Sequence, residues 1–489
     1  MTIAFDHQST TPDAWEMLPF RFHGLEPSTT LLTNLVGEQV FVSPDQLLGI
    51  VNGTCTDQEL LAELRAKHII RGTRDRTAVE LLAIKLRTRM RRLADFTGLH
   101  IFVVTLRCEH TCKYCQVSRQ PTSGAHYDMT EQHAELALDM AFRSPSPRLK
   151  IEFQGVEPLL NFPIIQSIVA GARARNLEHD RDLSFVIASN LALLNDDILE
   201  YCKREDIYIS TSLDGPADLH TRNRPRPGSD SWQRTVDGIG SAQTILGADH
   251  VSALMTTTEA SLGRAREIID TYLSLGLHNL FLRPISPYGF ALRRHGGGKY
   301  GVDEWLRFYE DGLDYIFELN AAGIPMVETY AAIIAKKMFT NDDPGYVDLT
   351  SPAGIGLAAL VYNYDGAVYA SDEGRMLAEM GDQTFRLGHL DTDSYEDIML
   401  SDALLSPLEQ SITTSAPMCS TCAFEPYCGS DPVFHHATTG DAVGIKPLSA
   451  FCQRNMGVFT LLLRKYRDDP EARALLRQWA HRGSHARGR

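Results

Sequence analysis

No run of this 489-residue sequence stays apolar for long enough to cross a bilayer, and its first residues lack the basic-then-apolar order of a secretory signal. Basic residues are also in deficit. The 47 Lys and Arg stand against 62 Asp and Glu, a formal net charge of −15, and the pI is about 5.6. That deficit argues against a nucleic-acid partner, which needs a basic stripe, and it disfavours anionic membrane surfaces. The expected setting is the cytoplasm, where thiols stay reduced. Nine cysteines are many for that setting, so metal ligation is favoured over disulfides. Seven of them fall into two spaced groups, while Cys55 and Cys202 stand alone and read as inert packing residues.

The first group, Cys108, Cys112 and Cys115, has the spacing C-x3-C-x2-C and directly follows the apolar run 101–106. Three thiolates cannot close a tetrahedral metal site, and on a four-iron cubane they leave one iron open. An open iron suits S-adenosylmethionine (SAM), bound through its amino and carboxylate groups before one electron enters its sulfonium. Part of a zinc site could carry the same spacing. Residues 105–115, including Tyr114 before the last sulfur, resemble the cluster loop of the radical-SAM superfamily.

The chain divides into four expected units: 1–95, 96–335, 336–455 and 456–489. In the first, short β-like runs at 19–23, 30–33 and 39–42 precede three helices. Ser43-Pro44-Asp45-Gln46 has the form of a capping box with Pro in the first turn, and 56–59 reads as a second box. A third helix is expected over about 76–93. Three strands and three helices resemble the peptide-recognition domain fused to peptide-modifying enzymes; an unrelated winged-helix-like packing unit has the same pattern. From 100 to 285, strand runs at 101–106, 149–153, 183–188, 207–213, 251–255 and 277–282 alternate with helical stretches. Such alternation predicts an α/β fold with a parallel sheet and right-handed crossovers, its catalytic loops at the carboxyl ends of the strands. This stretch resembles the radical-SAM partial (β/α)6 barrel. Residues 345–455 read as a loop-rich, cysteine-bearing segment, 455–480 as one amphipathic helix, and the basic tail 481–489 as disordered.

Further site residues follow from that resemblance. Gly155-Val156-Glu157-Pro158, after the second strand, is similar to the family's Gly-Gly-Glu-Pro loop, in which the backbone and the Glu hold the SAM amino group. Val156 replaces the second glycine. Either the backbone avoids positive φ there, or SAM binding is weakened. Ser189 and Asn190 match the polar strand end near the SAM ribose. Ser212 and Arg224 match a serine and an arginine that contact the ribose and carboxylate, and Ile285 matches a residue packing the adenine. Each of these also fits a strand-end cap or a surface turn.

The second group is Cys419-x2-Cys422-x5-Cys428, then Cys452. In isolation it describes structural zinc as well as a cluster. Beside a radical-SAM core it resembles the SPASM extension, which binds auxiliary iron–sulfur clusters. Ala353, Ser371 and Pro432 stand where further ligands are expected, so the resemblance implies one auxiliary [4Fe-4S] cluster beside the SAM-binding one. Residues 362–372 read as a hairpin with Asp365-Gly366 at its turn, and Asp372 stands where SPASM sulfatase maturases place a proton acceptor. Residues 31–37, 105–120, 351–354, 369–377 and 419–428 together resemble the His-Xaa-Ser system radical-SAM maturases. The resemblance implies a 5′-deoxyadenosyl radical that oxidatively modifies, and crosslinks, side chains of a ribosomally made precursor peptide, with flavodoxin or ferredoxin as the low-potential electron donor. Two alternatives remain open: a formylglycine-forming sulfatase maturase, and a peptide-binding chaperone with a degenerate SAM site.

Overall fold

The computed structural model describes residues 15–115, 119–288 and 300–482. Its first unit is built from two small antiparallel sheets. Strand β1 (Trp15–Met17) pairs with β5 (Ile70–Gly72), and β2 (Phe20–Glu26), β3 (Thr29–Asn34) and β4 (Gln39–Val42) form a meander. The helix Pro44–Val51 opens on the Ser43–Gln46 capping box. The next helix, Gln58–Ala66, departs from expectation. Its cap is the Asp57 carboxylate, which accepts from the N–H groups of Glu59 and Leu60, and no box forms at Thr56. A negative charge one residue nearer the free N–H groups also matches the helix dipole. The third helix runs Thr77–Met90.

The central sheet is ordered β10-β9-β8-β7-β6-β13-β14-β15. Strands β6 (Leu99–Thr105), β7 (Arg148–Gly155), β8 (Asp182–Ser189), β9 (Ile207–Ser212) and β10 (Val251–Leu254) are parallel throughout. β6, at the middle of the sheet, is buried along almost its whole length, whereas β7 alternates buried and partly exposed residues. The sixth expected run yields only β11 (Asn279–Leu280), which pairs with β12 (Val327–Glu328) and not with β10. After it, Leu282 gives its N–H to the buried Glu328 carboxylate, and Pro284 has none to give, so no ladder can extend.

At the opposite edge the sheet gains three strands from the C-terminal half: β13 (Ala359–Tyr362), parallel to β6, then β14 (Ala367–Tyr369) and β15 (Arg386–His389), both antiparallel. Gly366 makes the β13–β14 turn at φ +87°. The expected single C-terminal helix is two, Ala450–Asp468 and Pro470–His481. Pro470 cannot continue the first, and the Asp469 carboxylate caps the second. Residues 483–489, where most of the disordered tail was expected, lie outside the described residues. The largest core joins Leu31 of β3, barrel residues such as Ile268 and Tyr309, Phe424 and Tyr427 of the cysteine loop, and Trp479 of the last helix.

Candidate functional site

The loop bearing the first three cysteines leaves the carboxyl end of β6. Its base is fixed by Asp128, whose carboxylate accepts from Thr105 Oγ1 at 2.6 Å and from Arg107 Nε at 2.7 Å. Its far side hangs on the 223–225 backbone, Thr111 N donating to Pro225 O and Lys113 N to Asn223 O. Cys108 is buried, and Cys112 and Cys115 are partly buried. Burial pushes the Cys108 thiol up, with the charges of Glu109 and Glu157 adding to it, and burial pushes Cys112 up to about 12. Thiols in such surroundings ionise only when a cation supplies the missing charge, which a bound cluster does.

Gly155 has φ +139°, and a Cβ there would stand 2.1 Å from the Thr105 carbonyl oxygen. Only glycine fits. Val156 is not among the positive-φ residues; it packs against the small apolar cluster that includes Val103, Leu106 and Tyr369, and donates its N–H to Thr105 O. The left-handed burden thus falls on Gly155, and the valine is unstrained.

Glu157 is fully buried. Its carboxylate accepts from Ser189 Oγ (2.7 Å), Asn190 N (2.9 Å) and Leu159 N (3.1 Å). Burial, then the charge of Glu109, pushes it up to about 8. Glu109 Oε2 is buried without a hydrogen-bond partner among the described residues. Among the described residues no cation meets the buried Glu157 carboxylate; the partly buried Glu109, whose Oε1 lies 3.1 Å from His110 Nδ1, adds negative charge beside it, and such a pocket is the electrostatic complement of an ammonium group. The residues therefore fit SAM's amino end. Asn190 also directs Nδ2 at Cys108 Sγ, 3.7 Å away, which ties this pocket to the cluster loop.

Arg224 and Tyr114 share a buried partner. The Arg224 guanidinium, assigned to the SAM carboxylate, lies 3.1 Å from Asp214 Oδ2 and over the Tyr114 ring, 5.1 Å from its centroid. Tyr114 OH donates to the same Asp214 at 2.7 Å. Asp214, fully buried at the end of the fourth strand run, was not among the sequence-derived site residues; a carboxylate in a strand-end Asp-Gly pair was the available signal. Ser212 ends β9 in register with Leu254. Ile285 lines a different space, a cavity of about 40 Å³ whose wall includes Arg283, Tyr288, Asp348, Glu373, Asp431 and Arg454.

That cavity adjoins the second cysteine group. Cys428 precedes Asp431 by three residues, and Cys452 sits between Phe451 and Arg454 on one helix. The four cysteines are close enough to act on one another: burial pushes the Cys428 thiol up, and the charges of Cys422, Cys452 and Cys419 add to it. Burial also raises Glu373 to about 7, with Asp348 and Asp372 contributing, and raises Asp348 and Asp431. Tyr288 OH, on the same wall, is buried without a partner among the described residues. Asp372 is not on this wall. It opens the helix Asp372–Ala378 and accepts from Nε of the fully buried Arg375 at 2.9 Å. Its neighbour Glu373 faces the cavity instead. Sequence reasoning missed Glu373, Asp348 and Asp431 because they lie far apart in the chain. Ser371 caps that helix, Pro432 is the first residue of Pro432–Thr439, and Ala353 is buried, its N–H donating to Ser411 Oγ.

Residues 102–255 match the model of the Radical SAM superfamily, and a domain of this family uses a [4Fe-4S] cluster and SAM. An uncharacterised protein of Methanocaldococcus jannaschii is 28% identical over 189 residues, 38% of this chain and 62% of its own length. The chain thus spans less than two thirds of that relative. The radical SAM cyclopropyl synthase TigE of Paramaledivibacter caminithermalis is 27% identical over 151 residues, 28% of this chain and 31% of its own. Among solved structures, anSMEcpe with bound AdoMet is similar with a TM-score of 0.63 at 14% identity, covering 78% of this chain and 99% of that one. Streptococcus suis SuiB bound to the precursor peptide SuiA gives 0.50 at 14% identity, covering 89% and 98%. These structures share the radical SAM α/β fold with this chain. No helix among the described residues is long and apolar enough to cross a membrane.

Proposed function

We propose that this chain is a radical SAM maturase that oxidatively modifies, and crosslinks, side chains of a ribosomally made precursor peptide, working in the cytoplasm with flavodoxin or ferredoxin as electron donor. The observation that carries the radical SAM part is the pairing of an open three-cysteine loop with Glu157, a buried carboxylate lacking a cation. Held by Cys108, Cys112 and Cys115, a [4Fe-4S] cluster would supply the electron that cleaves SAM to the 5′-deoxyadenosyl radical. The chain's own residues do the positioning. Glu157 receives the SAM ammonium, Gly155 lets the backbone approach, and Ser189 and Asn190 hold the Glu157 carboxylate in place. Tyr114, Ser212 and Arg224 line the remaining contacts, with Asp214 keeping the Arg224 charge in position.

Cys419, Cys422, Cys428 and Cys452 would hold one auxiliary cluster. The residues standing at the other ligand positions serve as a helix cap, a helix-opening proline and a core alanine, which supports one cluster rather than two. A proton leaving the substrate would go to the carboxylates beside this group, Glu373 or Asp372. The peptide leader would bind the first unit as an added strand, with β2 as the open edge. The chaperone reading loses its one support, since Val156 is unstrained. The absent auxiliary cysteines and the added first unit weigh against a formylglycine-forming enzyme.

The test is anaerobic SAM cleavage. Wild type should form 5′-deoxyadenosine, and the Cys108→Ala, Cys112→Ala, Cys115→Ala triple variant should form none while keeping its fold by circular dichroism. Undiminished product from the variant would overturn the reading.

A further inference from the structure

Two groups of His, Cys, Asp or Glu among the described residues have ligand atoms within 4.8 Å of one another. One, Cys108-Glu109-His110, belongs to the cluster loop. The other, His133, His389 and Asp391, lies apart from it. His133 is in the first turn of the helix Glu131–Phe142, His389 ends β15, and Asp391 follows in the next turn. A single carboxylate oxygen, Asp391 Oδ2, faces both rings, 3.4 Å from His133 Nε2 and 3.6 Å from His389 Nδ1.

The far nitrogen of each ring is already committed. His133 Nδ1 lies 3.3 Å from the Tyr364 carbonyl oxygen, and His389 Nε2 lies 2.9 Å from that of Asp365. A carbonyl only accepts, so both of these nitrogens carry the proton. In that tautomer the inner nitrogens, His133 Nε2 and His389 Nδ1, turn lone pairs toward Asp391. The Asp391 N–H, 3.2 Å from His389 Nδ1, keeps that nitrogen an acceptor. Two imidazole lone pairs and a carboxylate oxygen thus converge with no donor between the side chains. Imidazoles whose outer N–H is fixed on a carbonyl are the arrangement that orients metal-binding histidines. Gln132 Nε2 likewise fixes the carboxylate through Oδ1, at 3.1 Å. The spacing matches as well: with bonds of about 2.0–2.1 Å, neighbouring ligands of a tetrahedral ion stand about 3.3 Å apart. Room for the rings comes from Gly366, where a Cβ would stand 2.8 Å from both His133 Nε2 and His389 Cε1.

We propose that His133, His389 and Asp391 bind one divalent ion of borderline softness, zinc foremost, with its remaining position open to water. The ion joins the barrel to its C-terminal strands. Because β13 runs parallel to β6, its carboxyl end and the helix following the cluster loop lie on the same rim. The site thus clamps the outer strands beside that rim, and the exposed Asp391 beside two partly exposed histidines lets an ion enter.

The experiment uses the full chain with its iron–sulfur content in place, equilibrated anaerobically with zinc chloride and desalted. Metal analysis and zinc-edge X-ray absorption should find one zinc per chain, with nitrogen or oxygen neighbours at about 2.0–2.2 Å and no sulfur at about 2.3 Å. His133→Gln and His389→Gln should each release it, because losing a ligand costs more than the roughly 10–100-fold of a lost supporting bond. Iron content and 5′-deoxyadenosine formation should not change. Asp391→Asn, at an exposed position, should weaken zinc in the same way should either histidine variant fail to fold. Wild type that retains no zinc, zinc unchanged in the variants, or zinc bound through sulfur would each overturn the site.

Discussion

Glu157 holds a carboxylate away from water with no cation to answer it among the described residues, and Glu109 adds a second charge nearby. Its value of about 8 in the folded chain lies above the ordinary 4.5, so the folded state binds the extra proton. Stability of the SAM-free chain therefore falls as pH rises from about 5 through 8. The SAM ammonium answers the ionised form, so the rise in melting temperature on adding SAM should grow from about pH 6.5 to about pH 8.5. Glu157→Gln should flatten that trend, and a pH-independent shift in wild type would place the ammonium elsewhere. The proton acceptor is a matter of two adjacent residues. Asp372 is bound to Arg375, whereas Glu373 faces the cavity beside the second cysteine group. Glu373→Gln should lower the ratio of modified peptide to 5′-deoxyadenosine by roughly a hundredfold or more. Asp372→Asn should lower it far less. The reverse order, read by mass spectrometry of the reacted precursor peptide, would return the role to Asp372.

Among the elements, the first unit is more than an appendage. Arg21 reaches the Ser420 carbonyl and Glu425, Thr33 Oγ1 donates to Ala423 O, and Tyr427 OH donates to Gly37 O at 2.6 Å. Arg89, buried in the third helix, donates to the carbonyls of Val36 and Pro426. Strands β2 and β3 and that helix thus support the loop holding Cys419, Cys422 and Cys428. Removing residues 1–95 would strip this support, so truncation cannot isolate leader binding. The open edge of β2 can. Phe22 on β2 is 57% exposed, an apolar side chain on an edge strand of its sheet. Phe22→Asp should weaken precursor binding by at least about tenfold in a titration while leaving 5′-deoxyadenosine formation intact. Equal affinity would move the leader to another face.

For the whole molecule the metal count is the sharpest measurement. Two four-iron clusters predict about eight irons per chain, falling to about four when Cys419, Cys422, Cys428 and Cys452 become Ser, with SAM cleavage retained. Zinc with sulfur neighbours and iron near four in wild type would show a structural zinc site at the second group. The sequence by itself determined the local features. The apolar run before Cys108 is β6, five of the six expected runs are parallel strands of the central sheet, Ser43 caps its helix, and Asp365-Gly366 makes its turn. These follow from short-range physics, meaning periodicity, caps and positive φ, which a window of a few residues records. Tertiary structure decided what distant segments share. It gave the sheet its outer strands from residues 359–389 and set Arg224 on Asp214. It gathered Asp348, Glu373 and Asp431 around one cavity, and it brought His133 to His389 and Asp391. No local pattern encodes such meetings, because a buried charge or an imidazole lone pair acquires its meaning from whatever the fold packs against it.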